Sequence, residues 1–140
     1  MSRNFLFVFF AVKGLLVAWG LLGLVEYFVP AVNVGLQDDN FPRGVQFLHW
    51  VLVLLTGSIF LVGFYWRWRF TPFATITMYA TLATLCFVET VDFDAFGGGT
   101  ARFFIMGAEY LLYIVLSTYL IKSTHIQDRF EQTPDGVSQA

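Results

Sequence analysis

Four long apolar runs, residues 5–29, 45–66, 72–93 and 103–121, are separated by short polar breaks along the chain. A bilayer core about 30 Å thick takes about 20 apolar residues at 1.5 Å rise each, so every run can cross it as a helix. The breaks carry residues that stop helices. Pro30 ends the first run, Pro42-Arg43-Gly44 introduces the second, and Thr71-Pro72 opens the third with proline in a first turn, where no backbone N–H is missed. Gly97-Gly98-Gly99 parts the third run from the fourth. The pattern predicts an all-α integral membrane four-helix bundle over residues 1–122 and a polar cytoplasmic tail over 123–140 that reads as flexible. Short connections make the second and third spans, and the third and fourth, antiparallel neighbours. The first connection, residues 30–44, is longer and holds Asn33, Gly35, Gln37, Asp38, Asp39 and Asn40, enough polar groups for a docking or lid element.

Composition strengthens the membrane reading. Of 140 residues, 57% are hydrophobic and only 13% charged, more apolar surface than a soluble domain of this length buries. The net charge of −2 comes without a basic block, which excludes nucleic acid as a partner. The single cysteine, Cys86, excludes an internal disulfide, a CxxC pair and a thiolate zinc site. The N-terminal apolar stretch is longer than the core of a signal peptide and no small-x-small cleavage pattern follows, so it reads as a retained helix.

Charge sets the expected orientation. With the N-terminus inside, the cytoplasmic ends carry Arg3, Arg67, Arg69, Lys122 and Arg129, whereas the outer connections carry Arg43 and Arg102. The positive-inside rule then favours both termini in the cytoplasm and a multi-pass chain in an inner, plasma-type membrane. Aromatic belts fit this: Phe64, Tyr65, Trp66, Trp68 and Phe70 at the inner interface, Tyr27, Phe28, Phe41, Phe47 and Trp50 at the outer.

Ionisable residues within spans cost roughly 2.5–3.5 kcal/mol each at a helix centre on insertion scales, so each needs a reason. Counting from each span's midpoint puts Glu26, His49, Glu89, Asp92 and Glu109 in the outer half of the membrane, one level reached from all four helices. Glu89 and Asp92 share a face. Arg102, Met106, Glu109 and Tyr113 form a stripe on the fourth helix; His49, Thr56 and Gly63 form one on the second; Trp19, Gly23 and Glu26 line the first. Turned inward, these stripes make a polar cavity open to the outside, with Glu26, His49, Glu89, Asp92, Glu109 and Arg102 as ligand- or ion-binding candidates. Carboxylates with an imidazole suit a divalent metal, for which His49, Glu89 and Glu109 are the donors, although no metal-spacing motif is present. The bland alternative leaves Glu26, Asp92 and Asp94 solvated at the headgroups, Arg102 paired with one of them, and only Glu89 and Glu109 buried. Lys13 lies in the inner half and is expected to snorkel to the cytoplasmic interface. No haem is expected, because His49 and His125 fall at opposite membrane faces.

Small and hydroxyl residues, Gly14, Ala18, Gly20 and Gly23 on the first span and Thr75, Thr77, Ala80, Thr81, Ala83, Thr84 and Thr90 on the third, read as helix-packing positions within the bundle or against another chain. Ser58, Ser117 and Cys86 have no base at a recognisable spacing, so covalent catalysis is not expected. Three functions fit. The first is a structural or accessory subunit of a larger membrane complex, with other membrane subunits and lipids as partners, as an oligomer or hetero-complex. The second is an ion- or proton-coupled carrier or channel using the acidic cluster, with Glu89 and Glu109 as coupling acids and His49 as relay. The third is a membrane-embedded protein or enzyme binding a metal or a lipid headgroup.

Overall fold

The structure, a computed structural model, describes residues 3–32, 34–37, 41–93 and 99–131. The loop residues Asn33, Asp38, Asp39 and Asn40, the segment 94–98 with Asp94, and the tail past residue 131 lie outside the described residues, as do the side chains of Arg3, His125 and Arg129. Five helices follow one another: α1 (Arg3–Phe28), α2 (Arg43–Tyr65), α3 (Thr71–Asp92), α4 (Ala101–Lys122) and α5 (Thr124–Glu131). The first four are long and apolar enough to cross a membrane. Each packs on the next in chain order. At the end of the bundle that carries the N-terminus, α1 also meets α4: the Phe5 and Phe9 rings lie 4.3 and 5.5 Å from Tyr119.

That end holds the main core. Phe9, Phe60, Tyr79, Leu116, Tyr119 and Leu120 are buried together, and α5 closes over them with Ile126 and Phe130. The tail expected to be flexible from residue 123 therefore begins with a docked helix. The reason is legible after the fact: Ile126 and Phe130 are four apart on one face, while Gln127 and Asp128 stay exposed on the other.

α1 and α2 approach closely because glycines leave room. A Cβ on Gly57 would stand 2.6 Å from Val17 and 2.8 Å from the Lys13 carbonyl; one on Gly20 would stand 2.7 Å from the Leu54 nitrogen. At Gly23 the space is filled by the Trp50 indole. Gly14 and Ala18, expected to share this role, are exposed instead.

The turn from α2 to α3 is tightly bonded. The Trp68 N–H donates to the Gly63 carbonyl at 2.9 Å and the Arg67 N–H to Phe64 at 3.4 Å, the pattern of a helix ending on a left-handed residue. That residue is Arg67, with φ 54°, where glycine is usual. An L side chain there costs roughly 1–2 kcal/mol. On the α3 side, the Trp68 carbonyl accepts from both the N–H and the hydroxyl of Thr71, at 2.9 and 2.6 Å.

Gly57→Ala is expected to cost roughly 1–3 kcal/mol, the usual range for overpacking a close contact. Gly14→Ala, which meets nothing within 4 Å, should be neutral or slightly stabilising. Thermal unfolding in detergent compares them, and equal melting of the two variants would contradict the α1–α2 packing.

Candidate functional site

In the half of the bundle away from the N-terminus, all four long helices line a cavity of about 140 Å³. α1 supplies Leu16 and Trp19, α2 supplies His49 and Val53, α3 supplies Leu82, Cys86 and Glu89, and α4 supplies Glu109 and Tyr113. His49 stands in the second turn of α2 and Glu89 in the last turn of α3, which antiparallel packing brings level. His49 Nδ1 lies 2.9 Å from one Glu89 carboxylate oxygen and 3.1 Å from the other. With Glu89 ionised, the Nδ1–H donates to both oxygens. Glu89 is buried, and the His49 side chain keeps 32% of its surface exposed. The imidazole stands edge-on to Trp50 at 4.9 Å, and Trp50 is itself seated on Gly23. The glycine of α1 thus helps set the histidine of α2. Cys86, one turn before Glu89, places its thiol beside the Glu109 carboxylate. The Thr90 hydroxyl, one residue past Glu89 and fully buried, lies beside the Cys86 thiol.

Below the cavity lies an aromatic layer. Tyr113 stacks on Tyr79 with centroids 5.2 Å apart and planes 19° from parallel. Tyr79 also faces Lys13, whose Nζ is 4.1 Å from the Tyr79 ring centroid, with the Phe9 and Phe60 rings at 5.4 and 5.8 Å from the same nitrogen. The ammonium donates to the Thr56 carbonyl at 3.3 Å and is 0% exposed. No carboxylate among the described residues stands within ion-pairing distance of it. The expected snorkelling of Lys13 is therefore corrected. Position 13 shares the inward face of α1 with Phe9 and Gly20, and the ring faces around it offer a buried cation an electrostatic partner.

Glu26 has a different task from the one expected. It is buried at the end of α1, and its carboxylate accepts the backbone N–H groups of Gly35 and Leu36 at 3.1 and 3.0 Å. Gln37 adds a bond from Nε2 to the Gly23 carbonyl at 3.1 Å. Gly35, at φ 75°, permits the turn that aims both N–H groups at one carboxylate. Glu26 borders a separate vestibule of about 450 Å³ that also includes Gln37, Arg43 and Gln46. Asp92 is exposed at the end of α3, and Arg102 is half-buried with its guanidinium 4.9 Å from the Phe103 ring. Of the six candidates named from sequence, His49, Glu89 and Glu109 share the cavity, while Glu26, Asp92 and Arg102 do not line it.

Among the described residues, no three of His, Cys, Asp and Glu are gathered closely enough to hold a metal ion. The hydroxyls of Thr56, Thr75, Thr77, Thr81 and Thr84 each donate to the carbonyl four residues back, which occupies their protons within their own helices. The sequence reading missed the inward Lys13 and its contact with Tyr79. The signal was available in the spacing of Phe9, Lys13 and Gly20, four and seven apart on one helical face. Comparison of the chain with protein-family models, curated proteins and solved structures finds no match.

Glu26→Ala removes the acceptor of two backbone donors and should speed amide exchange at Gly35 and Leu36 by about tenfold or more, since bonds to a charged group contribute roughly 1.5–3 kcal/mol. Unchanged protection at both amides would contradict this role. Lys13→Met should melt no lower than the native chain, because a thioether fills similar volume without the cost of burying an ammonium. A clear fall in the melting temperature would show that the aromatic cage and the Thr56 bond outweigh that cost.

Proposed function

We propose that this chain is a small multi-pass membrane protein that takes up a proton or small cation into the cavity between its four long helices. The reading is carried by one observation: the His49–Glu89 pair, at 2.9 and 3.1 Å, lines the same small cavity as Glu109. Ionisable groups turned into a membrane bundle mark ion and proton pathways by default, because burying them there without function is costly. The volume supports an ion over an organic solute. At about 140 Å³ the cavity has room for a few waters or a small cation, well under the roughly 300–1,000 Å³ of small-molecule sites.

The chemistry follows from the pair. His49, partly exposed, accepts a proton at its free ring nitrogen while Nδ1–H stays on Glu89, and the resulting imidazolium faces a carboxylate within hydrogen-bond reach. Glu109, across Cys86, is the second acid to which charge passes. Beyond it the Tyr113–Tyr79 stack and the buried Lys13 close the cavity toward the other end of the bundle. Access is thus from one side, the outer one in the orientation that the arginines favour. That closed floor suits gated exchange better than an open pore.

The accessory-subunit reading rests on the apolar outer faces of α1 and α4, which a bilayer covers equally well. It remains compatible with a proton-handling role inside a larger assembly. A metal or headgroup in the cavity has less support, given its volume and the absence of a three-donor cluster among the described residues.

Purified protein in liposomes loaded with a pH-sensitive dye tests the proposal under an imposed membrane potential. Glu89→Gln and Glu109→Gln are expected to cut proton or cation flux about tenfold or more each, a loss of roughly 1.4 kcal/mol or more of stabilisation for the moving charge. Wild-type flux no faster than in empty liposomes, or full flux in both variants, would overturn it.

A further inference from the structure

At the end of the bundle that carries the α2–α3 turn, a second concavity has a different character. It is an apolar groove of about 450 Å³ lined by Ser58, Ile59, Val62, Gly63, Trp66 and Trp68. Its mouth is the turn itself, where Trp66, Arg67, Trp68 and Arg69 follow one another and all are exposed. Trp66 stays 74% exposed, and Trp68 stays 48% exposed with the Phe70 ring standing edge-on at 6.2 Å. The Arg69 guanidinium stands 4.6 Å from the Phe70 ring.

The turn is also rigid and strained. Four backbone bonds and the Thr71 hydroxyl hold it, and it places Arg67 at φ 54°, the helix-ending position that glycine fills without cost. Nothing in the packing requires an arginine there. An unfavourable backbone state at an exposed, charged residue points to a use outside the folding of the chain.

We infer that the turn and groove form a binding site for one anionic phospholipid, with an acyl chain along Ile59 and Val62 between the indoles and the phosphate on Arg67 and Arg69. The chemistry fits each half of such a molecule. The groove is apolar and opens on the face where acyl chains run; the indoles suit the headgroup boundary; the guanidinium groups match phosphate in geometry and sign. A zwitterionic lipid satisfies the groove but brings its own cation to the arginines. This site is separate from the His49 cavity and stands whether or not that cavity conducts.

Native mass spectrometry of the full chain, released from micelles holding equal phosphatidylglycerol and phosphatidylcholine, reads the selectivity directly. Wild type is expected to retain one phosphatidylglycerol in preference. Each of Arg67→Gln and Arg69→Gln should lower that preference about fivefold, and the pair together should abolish it. Val62→Trp, which fills the groove, should reduce retention of both lipids. Arg67→Gly keeps the turn and relieves its strain, so it should melt no lower than wild type while losing preference; this separates lipid recognition from folding. Equal retention of the two lipids by wild type, or preference that survives in the double arginine variant, would overturn the proposal. Retention of both lipids left intact by Val62→Trp would overturn the groove as the acyl site.

Discussion

The close approach of α1 to α2 is the constraint on which the rest depends. Gly20, Gly23 and Gly57 remove the side chains that would hold the helices apart, and three consequences follow from that one contact. Lys13 is carried inside, against the Thr56 carbonyl. Trp50 sinks onto Gly23 and presents its ring to His49, fixing the imidazole where Glu89 of α3 can meet it. Glu26, at the end of the same helix, then gathers the following loop by its backbone. In a membrane, where apolar association adds little between helices, such glycine contacts and interhelical hydrogen bonds carry much of the specificity.

Polarity is layered along the bundle. At one level an imidazole and two carboxylates line a small cavity; at the next, two stacked tyrosines; below them a buried ammonium under three aromatic rings; and finally an apolar plug completed by α5. Helices α1 and α4 touch through Phe5, Phe9 and Tyr119 near that plug. The cavity therefore has a closed floor on one side, a geometry that suits loading and release from the other.

Much of this was legible in the chain. Length and hydropathy show the four long helices and their breaks, because the bilayer demands runs of about 20 apolar residues and Pro30, Pro42 and Pro72 mark the limits. Spacing also brought His49, Glu89 and Glu109 to one level. What it could not show was the rotation of each helix about its axis, which decides whether a polar residue looks inward, outward or along the chain. Glu26 looked like a cavity acid but serves loop backbone nine and ten residues on; Asp92 shares a rough face with Glu89 yet ends exposed; Lys13 was expected to snorkel, yet the close α1–α2 contact at Gly57 carries it inside. The docked α5 was hidden for another reason: only two of its residues, Ile126 and Phe130, are apolar enough to signal a face, within a segment whose average character is polar.

The most direct test of the account is an infrared difference spectrum of the protein in bilayers, recorded on acidifying the medium. Proton uptake at His49 beside an ionised Glu89 predicts imidazolium ring bands that disappear when His49 is replaced by glutamine, together with a shifted carboxylate stretch that disappears in Glu89→Gln. The same imidazolium bands surviving when His49 is replaced by glutamine, or a carboxylate shift that survives in Glu89→Gln, would show that the proton goes elsewhere and would contradict the account.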